Sequence, residues 1–111
     1  MANMIPLGAA IVSSSGTPVL LVASNNQNIA SARNCHTFIV QALPNTSGFI
    51  YLLSNSTAAD TTNYTNVIYA FQTAGEVFGQ GSTAVNDLDL TNLYVDAANN
   101  GNGLLVSILV Q

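Results

Sequence analysis

His36-Thr37-Phe38-Ile39-Val40-Gln41-Ala42-Leu43-Pro44-Asn45-Thr46-Ser47-Gly48-Phe49-Ile50-Tyr51-Leu52-Leu53-Ser54 decides the fold class. Two apolar runs rich in Val, Ile, Phe and Tyr are parted by Pro-Asn-Thr-Ser-Gly, a stretch suited to a turn. In the first run Phe38, Val40 and Ala42 alternate with Thr37, Ile39 and Gln41. That period of two puts a wholly apolar set on one face and a partly polar set on the other. In the second run Phe49, Tyr51 and Leu53 alternate with Ile50, Leu52 and Ser54, so both faces are apolar. Antiparallel strands usually keep one wet face. Either the strand is buried between its own core and a neighbouring subunit, or its outer face is crossed by a loop of the same chain.

The same texture recurs along the chain. Strands are expected at Ile5–Val12, Pro18–Ala23, His36–Ala42, Phe49–Ser54, Val67–Thr73, Glu76–Gly79, Asn92–Ala97 and Leu104–Val110. No twelve-residue window carries a 3.6-residue stripe. Ser13–Pro18 is expected to join the first two strands as a hairpin. Asn99–Gly103 is a further turn, with two glycines free to take positive φ. The glycines of Gly75–Gly81 read as a bulge or bend; no Lys follows Gly79-x-Gly81, so a phosphate cradle is not indicated. Eight short strands predict one all-β domain over residues 1–111, an antiparallel β-sandwich or jelly roll.

Two segments look outward. The terminal run Leu104–Val110 is almost wholly apolar and lacks a charged guard, so it is expected to be central in its sheet or paired across a subunit boundary. Asn55–Asn66 is a long polar insertion and a candidate contact loop; its only large side chain, Tyr64, either anchors a contact or folds back onto the rim. Asn63 and Tyr64 in that loop, with Ile108 and Val110 in the last strand, are the expected interface residues.

Charge separates function classes. Of 111 residues only Arg33, Asp60, Glu76, Asp87, Asp89 and Asp96 are charged, 5% of the chain against about 25% in an average soluble domain. Lysine is absent. Asn, Ser, Thr and Gln supply polarity instead, and they do not hold copies of the chain apart. Charged residues are depleted at interface cores, so the composition suits a subunit covered by neighbours, the alternative being a free secreted domain with a Ser/Thr/Asn-rich coat. One arginine against a net charge of −4 leaves no basis for binding nucleic acid, and an anionic membrane is disfavoured likewise. No apolar run reaches the ~18 residues of a spanning helix, and Met1–Leu7 lacks the basic start of a signal peptide, so a cytoplasmic site of synthesis is expected.

The chemistry-bearing residues are sparse. Cys35 has no partner for a disulfide and reads as a buried structural thiol. His36 is its neighbour, but successive strand residues face opposite ways, which disfavours a Cys-His dyad. Asp87 and Asp89 share one side of an extended segment and read as a solvated loop without an aromatic cleft. Asp96–Gly101 lacks the third-position ligand and distal glutamate of a calcium loop. The sequons at Asn45, Asn55 and Asn63 follow from an Asn/Ser/Thr-rich composition. No catalytic residue, metal site or cofactor is expected, and the chain reads as a non-enzyme.

Three blocks in order carry a resemblance. They are an opening strand pair, the run Arg33–Tyr51, and Asp89-Leu90-Thr91-Asn92-Leu93-Tyr94-Val95-Asp96 before a Gly-rich turn and a terminal strand. This order is similar to the small β-sandwich structural proteins of tailed bacteriophages, found among head decoration and other virion accessory proteins. The middle block resembles their pattern of an Arg, an alternating strand, an Asn/Gly turn and a strand ending in an aromatic. The late block resembles their Asp-Leu-x-x-Leu-Tyr-Val-Asp approach to the last hairpin. The loop Asn55–Asn66 departs from the shorter acidic or Pro-Gly turn of that family. The resemblance implies a non-enzymatic virion subunit, made in the host cytoplasm and bound, often as a trimer, to the major capsid protein of the head. The alternative is a tail or baseplate adhesin with Tyr64 or Tyr94 stacking on host-surface glycans.

Overall fold

The computed structural model describes residues 3–82 and 84–111. Eight strands and one short helix follow in the order β1 (Asn3–Ile11), β2 (Val19–Leu20), α1 (Ile29–Arg33), β3 (Thr37–Ala42), β4 (Ile50–Leu53), β5 (Val67–Phe71), β6 (Val77–Gly81), β7 (Tyr94–Ala97) and β8 (Gly103–Val110). They form two antiparallel sheets, sheet I in the order β1-β8-β3-β6 and sheet II in the order β2-β7-β4-β5. Along the chain the strands visit sheets I, II, I, II, II, I, II, I. That interleaving is the connectivity of a jelly roll.

The topology corrects two turn readings. Ser13–Pro18 does not close a hairpin: β1 pairs with β8 and β2 with β7, so this turn carries the chain from one sheet to the other. The turn before β8 also crosses between sheets, because β7 pairs with β2 and β4. Among the described residues β4 and β5 are the only consecutive strands that pair, and the Asn55–Asn66 loop joins them. Turn composition reports that the chain reverses and says nothing about which sheet it reverses into.

The glycines divide by role. Gly101 takes φ +86° in the last turn, as expected. Gly103 does not take positive φ; it opens β8 opposite Ile11, where an added Cβ would collide with the Ala10 carbonyl oxygen. Gly79 and Gly81 pair regularly with Ile39 and Thr37, so no bulge forms there and β6 runs two residues past the expected end. The register shifts fall at Pro6/Gly8 and Leu52/Leu53. In the edge strand β1, Pro6 removes a donor and Gly8 (φ +90°) kinks the backbone, two devices that discourage strand addition.

The core lies between the sheets. Val12, Val40, Ile50, Leu52, Phe71, Val95, Leu104, Val106 and Ile108 are fully or almost fully buried. Phe78 stacks on Tyr69 (centroids 4.7 Å apart), and Tyr69 meets Phe71 edge-on at 4.8 Å, bridging the β5 and β6 edges of the two sheets. The expected central place of the last strand is observed, with β8 between β1 and β3. The helix α1 was not legible: it has five residues, with only Ala32 buried, too short to write a stripe.

Candidate functional site

The two outer faces of the sandwich differ. On sheet II the apolar excess of β4 is closed in part by the chain itself: Tyr51 and Leu53 point away from the core yet are buried, as are all four residues of β4, while Phe49 just before it and Ile68 on β5 stay exposed. The loop Asn55–Asn66 accounts for this and is fixed by three polar hubs. The Asp96 carboxylate on β7 accepts from Gly16 N (2.9 Å), Ala97 N (2.8 Å) and Ala59 N (3.0 Å), tying the loop down to the sheet. Asn66 is buried; its Nδ2 donates to Thr57 O (2.9 Å) and its Oδ1 accepts from Asp60 N (2.9 Å). Asp60 accepts from Asn63 N (3.0 Å), Thr62 N (3.1 Å) and Thr65 Oγ1 (2.8 Å). These bonds, led by the one from Asn63, hold the Asp60 carboxyl at a pKa of about 2. Of the two explanations for the β4 excess, the crossing loop is the one observed.

Among the described residues no loop covers sheet I in this way. The registers of β1, β8, β3 and β6 set its outward side chains in three rows: Met4, Leu109, Thr37, Gly81; Pro6, Ser107, Ile39, Gly79; and Ala9, Leu105, Gln41, Val77. Ile11 extends the β1 edge. Met4 is 58% exposed, Val77 53%, Leu105 44% and Ile11 42%, half of the large apolar side chains exposed among the described residues. No residue in these rows is charged. The face measures roughly 20 by 20–27 Å from strand spacing and rise, about 400–500 Å² in projection. Exposed apolar side chains gathered on one face of a monomer are often functional, and here they are interrupted by Thr37, Ser107 and Gln41.

The expected interface residues fall in different places. Asn63 and Tyr64 are exposed on the loop over sheet II, and Tyr64 is the only non-glycine at positive φ (58°) among the described residues. Ile108 is fully buried in the core and Val110 packs against the same core, so their side chains are already used within the fold. The side chains that β8 turns outward are Leu105, Ser107 and Leu109. Their parity was legible, because Ser107, the one polar residue of the run, marks the outward set. Tyr94 is half-buried on β7, paired with Leu53.

The remaining residues are placed as follows. Cys35 is buried and bonds through its backbone to Leu88 in both directions (2.9 Å each); burial, then nearby Asp89, pushes its thiol pKa up. His36 Nδ1 lies 2.8 Å from Thr37 Oγ1. Asp87 and Asp89 are exposed, and Asp89 Oδ1 accepts from Thr91 N (2.8 Å) and Oγ1 (2.6 Å). Tyr69 donates its hydroxyl to Glu76, which lowers the Glu76 pKa and raises that of Tyr69. Among the described residues no cavity opens, no three His, Cys, Asp or Glu side chains gather, and no helix is long and apolar enough to cross a membrane. No family model matches the chain, and neither a curated protein nor a solved structure does.

Proposed function

We propose that this chain is a non-enzymatic structural protein of a bacteriophage particle, a decoration subunit that packs on the major capsid protein and on copies of itself and braces the head. The observation that carries the reading is the uncharged outer face of sheet I, four strands wide and left open by the chain's own loops. Such a face loses little by being covered, since no ion must be stripped of water. Jelly rolls recur in virus shells, an analogy of fold alone. The sequence resemblance adds the bacteriophage and the head. The test is addition of the purified chain to filled heads that lack it. Saturable binding at several hundred copies per particle, with heads that then rupture at higher temperature, is the expected result. Copies confined to the tail tip in multiples of three or six, or unchanged rupture, would sink the proposal.

A second reading, an adhesin for host glycans, has one observation in its favour. Phe49, exposed, stacks on Tyr51 (5.9 Å, 16°), and Tyr64 stands exposed on the loop over the same face. Aromatic faces of this kind suit sugar rings. Glycan-array binding lost on Tyr64→Ala would favour it over decoration.

A further inference from the structure

We infer that the outer face of sheet I is a two-fold interface between two copies of this chain. The inference deepens the assembly reading, on which it rests, by naming the occupant of that face. Its basis is the arrangement of large and small residues at the corners. Met4 and Val77 protrude at opposite corners, and the other two corners are flat, Gly81 and Ala9. A two-fold axis lying in the face along the strands reverses each row onto itself. Met4 then lies over Gly81 of the second copy, and Ala9 lies over its Val77. Along the same rows Leu109 meets Thr37, Leu105 meets Gln41, and Ser107 meets Ile39. Each protrusion finds a flat site and each row carries its polar atoms to the edge of an apolar neighbour, the self-complementarity that an isologous contact demands.

Size and charge agree with this occupant. Covering the face on both copies removes about 800–1,000 Å² in total, which puts the contact at the small end of specific interfaces. All six charged residues lie outside the three rows, so the two copies meet without burying an ion despite a net charge of −4 each. The trimer implied by the family resemblance would use two different patches per copy, whereas this face matches itself.

The experiment is sedimentation equilibrium of the full chain at about 100 μM, in low and in 1 M salt. The expected result is a mass twice that of the 11.5 kDa chain, undiminished by salt because no charge pair holds the contact. Val77→Asp and Ala9→Lys each weaken association by about tenfold or more, and the two together in one chain restore it. Within one chain residues 9 and 77 stand three strand spacings apart, about 14 Å, so only a second copy brings the new charges together. Ile68→Lys, exposed on β5 of the other sheet, leaves the mass unchanged. A monomer, a trimer, or a double variant no better than the singles overturns the two-fold contact. The variants' circular dichroism confirms folding, and the wild-type mass decides even where a variant fails to fold. A dimer that does not bind filled heads keeps this interface and sinks the virion reading; a monomer that binds heads does the reverse.

Discussion

Replacing Asp96 by Asn isolates the bond that closes sheet II. The carboxylate is buried and serves three backbone donors, Gly16 N and Ala97 N on Oδ1 and Ala59 N on Oδ2. Asparagine keeps one oxygen. Oriented to serve Gly16 and Ala97, it turns its amide toward Ala59, and donor then faces donor. A buried donor left without an acceptor costs about 1–3 kcal/mol. If the loop lifts to relieve that conflict, Leu53 and Tyr51 lose their cover, and exposing one side chain of that size costs about 1.5–3 kcal/mol. Both routes give a loss near 2 kcal/mol, against a total stability of about 5–15 kcal/mol. For a domain of this length that lowers the melting temperature by about 10 °C. The assay is thermal and urea unfolding, with amide exchange at Ala59 as the local readout. A melting temperature within about 2 °C of wild type, with Ala59 still protected, would refute the claim that Asp96 clamps the loop.

Four further outcomes follow from particular contacts. Gly103→Ala places a methyl against the Ala10 carbonyl and within 3.0 Å of Ile11 Cα, both backbone; a cost of about 3 kcal/mol is expected in urea unfolding, and a neutral result would contradict the β1–β8 register. Tyr64→Gly relieves a left-handed backbone under an exposed ring, so stability stays level or rises by about 1 kcal/mol in the same assay. The Asp60 pKa is depressed in the fold, so its contribution is present above the unfolded value of 3.8 and is lost as pH falls toward about 2. Carbon-detected titration of Asp60 should show that midpoint, and the amides of residues 62–65 should loosen between about pH 4 and 2. Cys35, buried and with a raised pKa, should react with a thiol reagent at pH 8 only as fast as the chain opens.

Most of the strand map was legible because strands write a two-residue period and turns write Gly, Pro, Asn and Ser. Phe38, Val40 and Ala42, the wholly apolar set of β3, face the core, and of the two places open to Leu104–Val110, central in its sheet or paired across a subunit boundary, the structure shows the central one. Pairing was less legible. The Ser13–Pro18 turn has the composition of a hairpin, and its strands part into different sheets because β8 and β7 compete for them. Those partners lie more than seventy residues away, where local turn chemistry has no reach. The open face of sheet I was not legible. The expected interface residues fall elsewhere: Tyr64 stands exposed over the other sheet, and Ile108 and Val110 lie on the inward parity of β8, a run in which nearly every residue is apolar and only Ser107 carries the signal.

The shortage of charge therefore has two separate physical meanings in one chain. On sheet II it accompanies closure from within: a polar loop of Asn, Ser and Thr, organised by Asp60, Asn66 and Asp96, covers Tyr51 and Leu53 and meets water itself. Of the outward apolar set of that run, Tyr51 and Leu53 are covered and only Phe49 stays exposed. On sheet I no equivalent loop exists among the described residues, because the jelly-roll order sends its connections around the ends and edges of the sandwich. Met4, Leu105 and Val77 are left in water. Uncharged polar surfaces do little to resist association, so an open apolar face without charged guards presents little barrier to being covered. Only this one face is both apolar and unguarded across four strands, and composition alone overstates the surface open to a neighbour because it counts residues that the chain buries unaided.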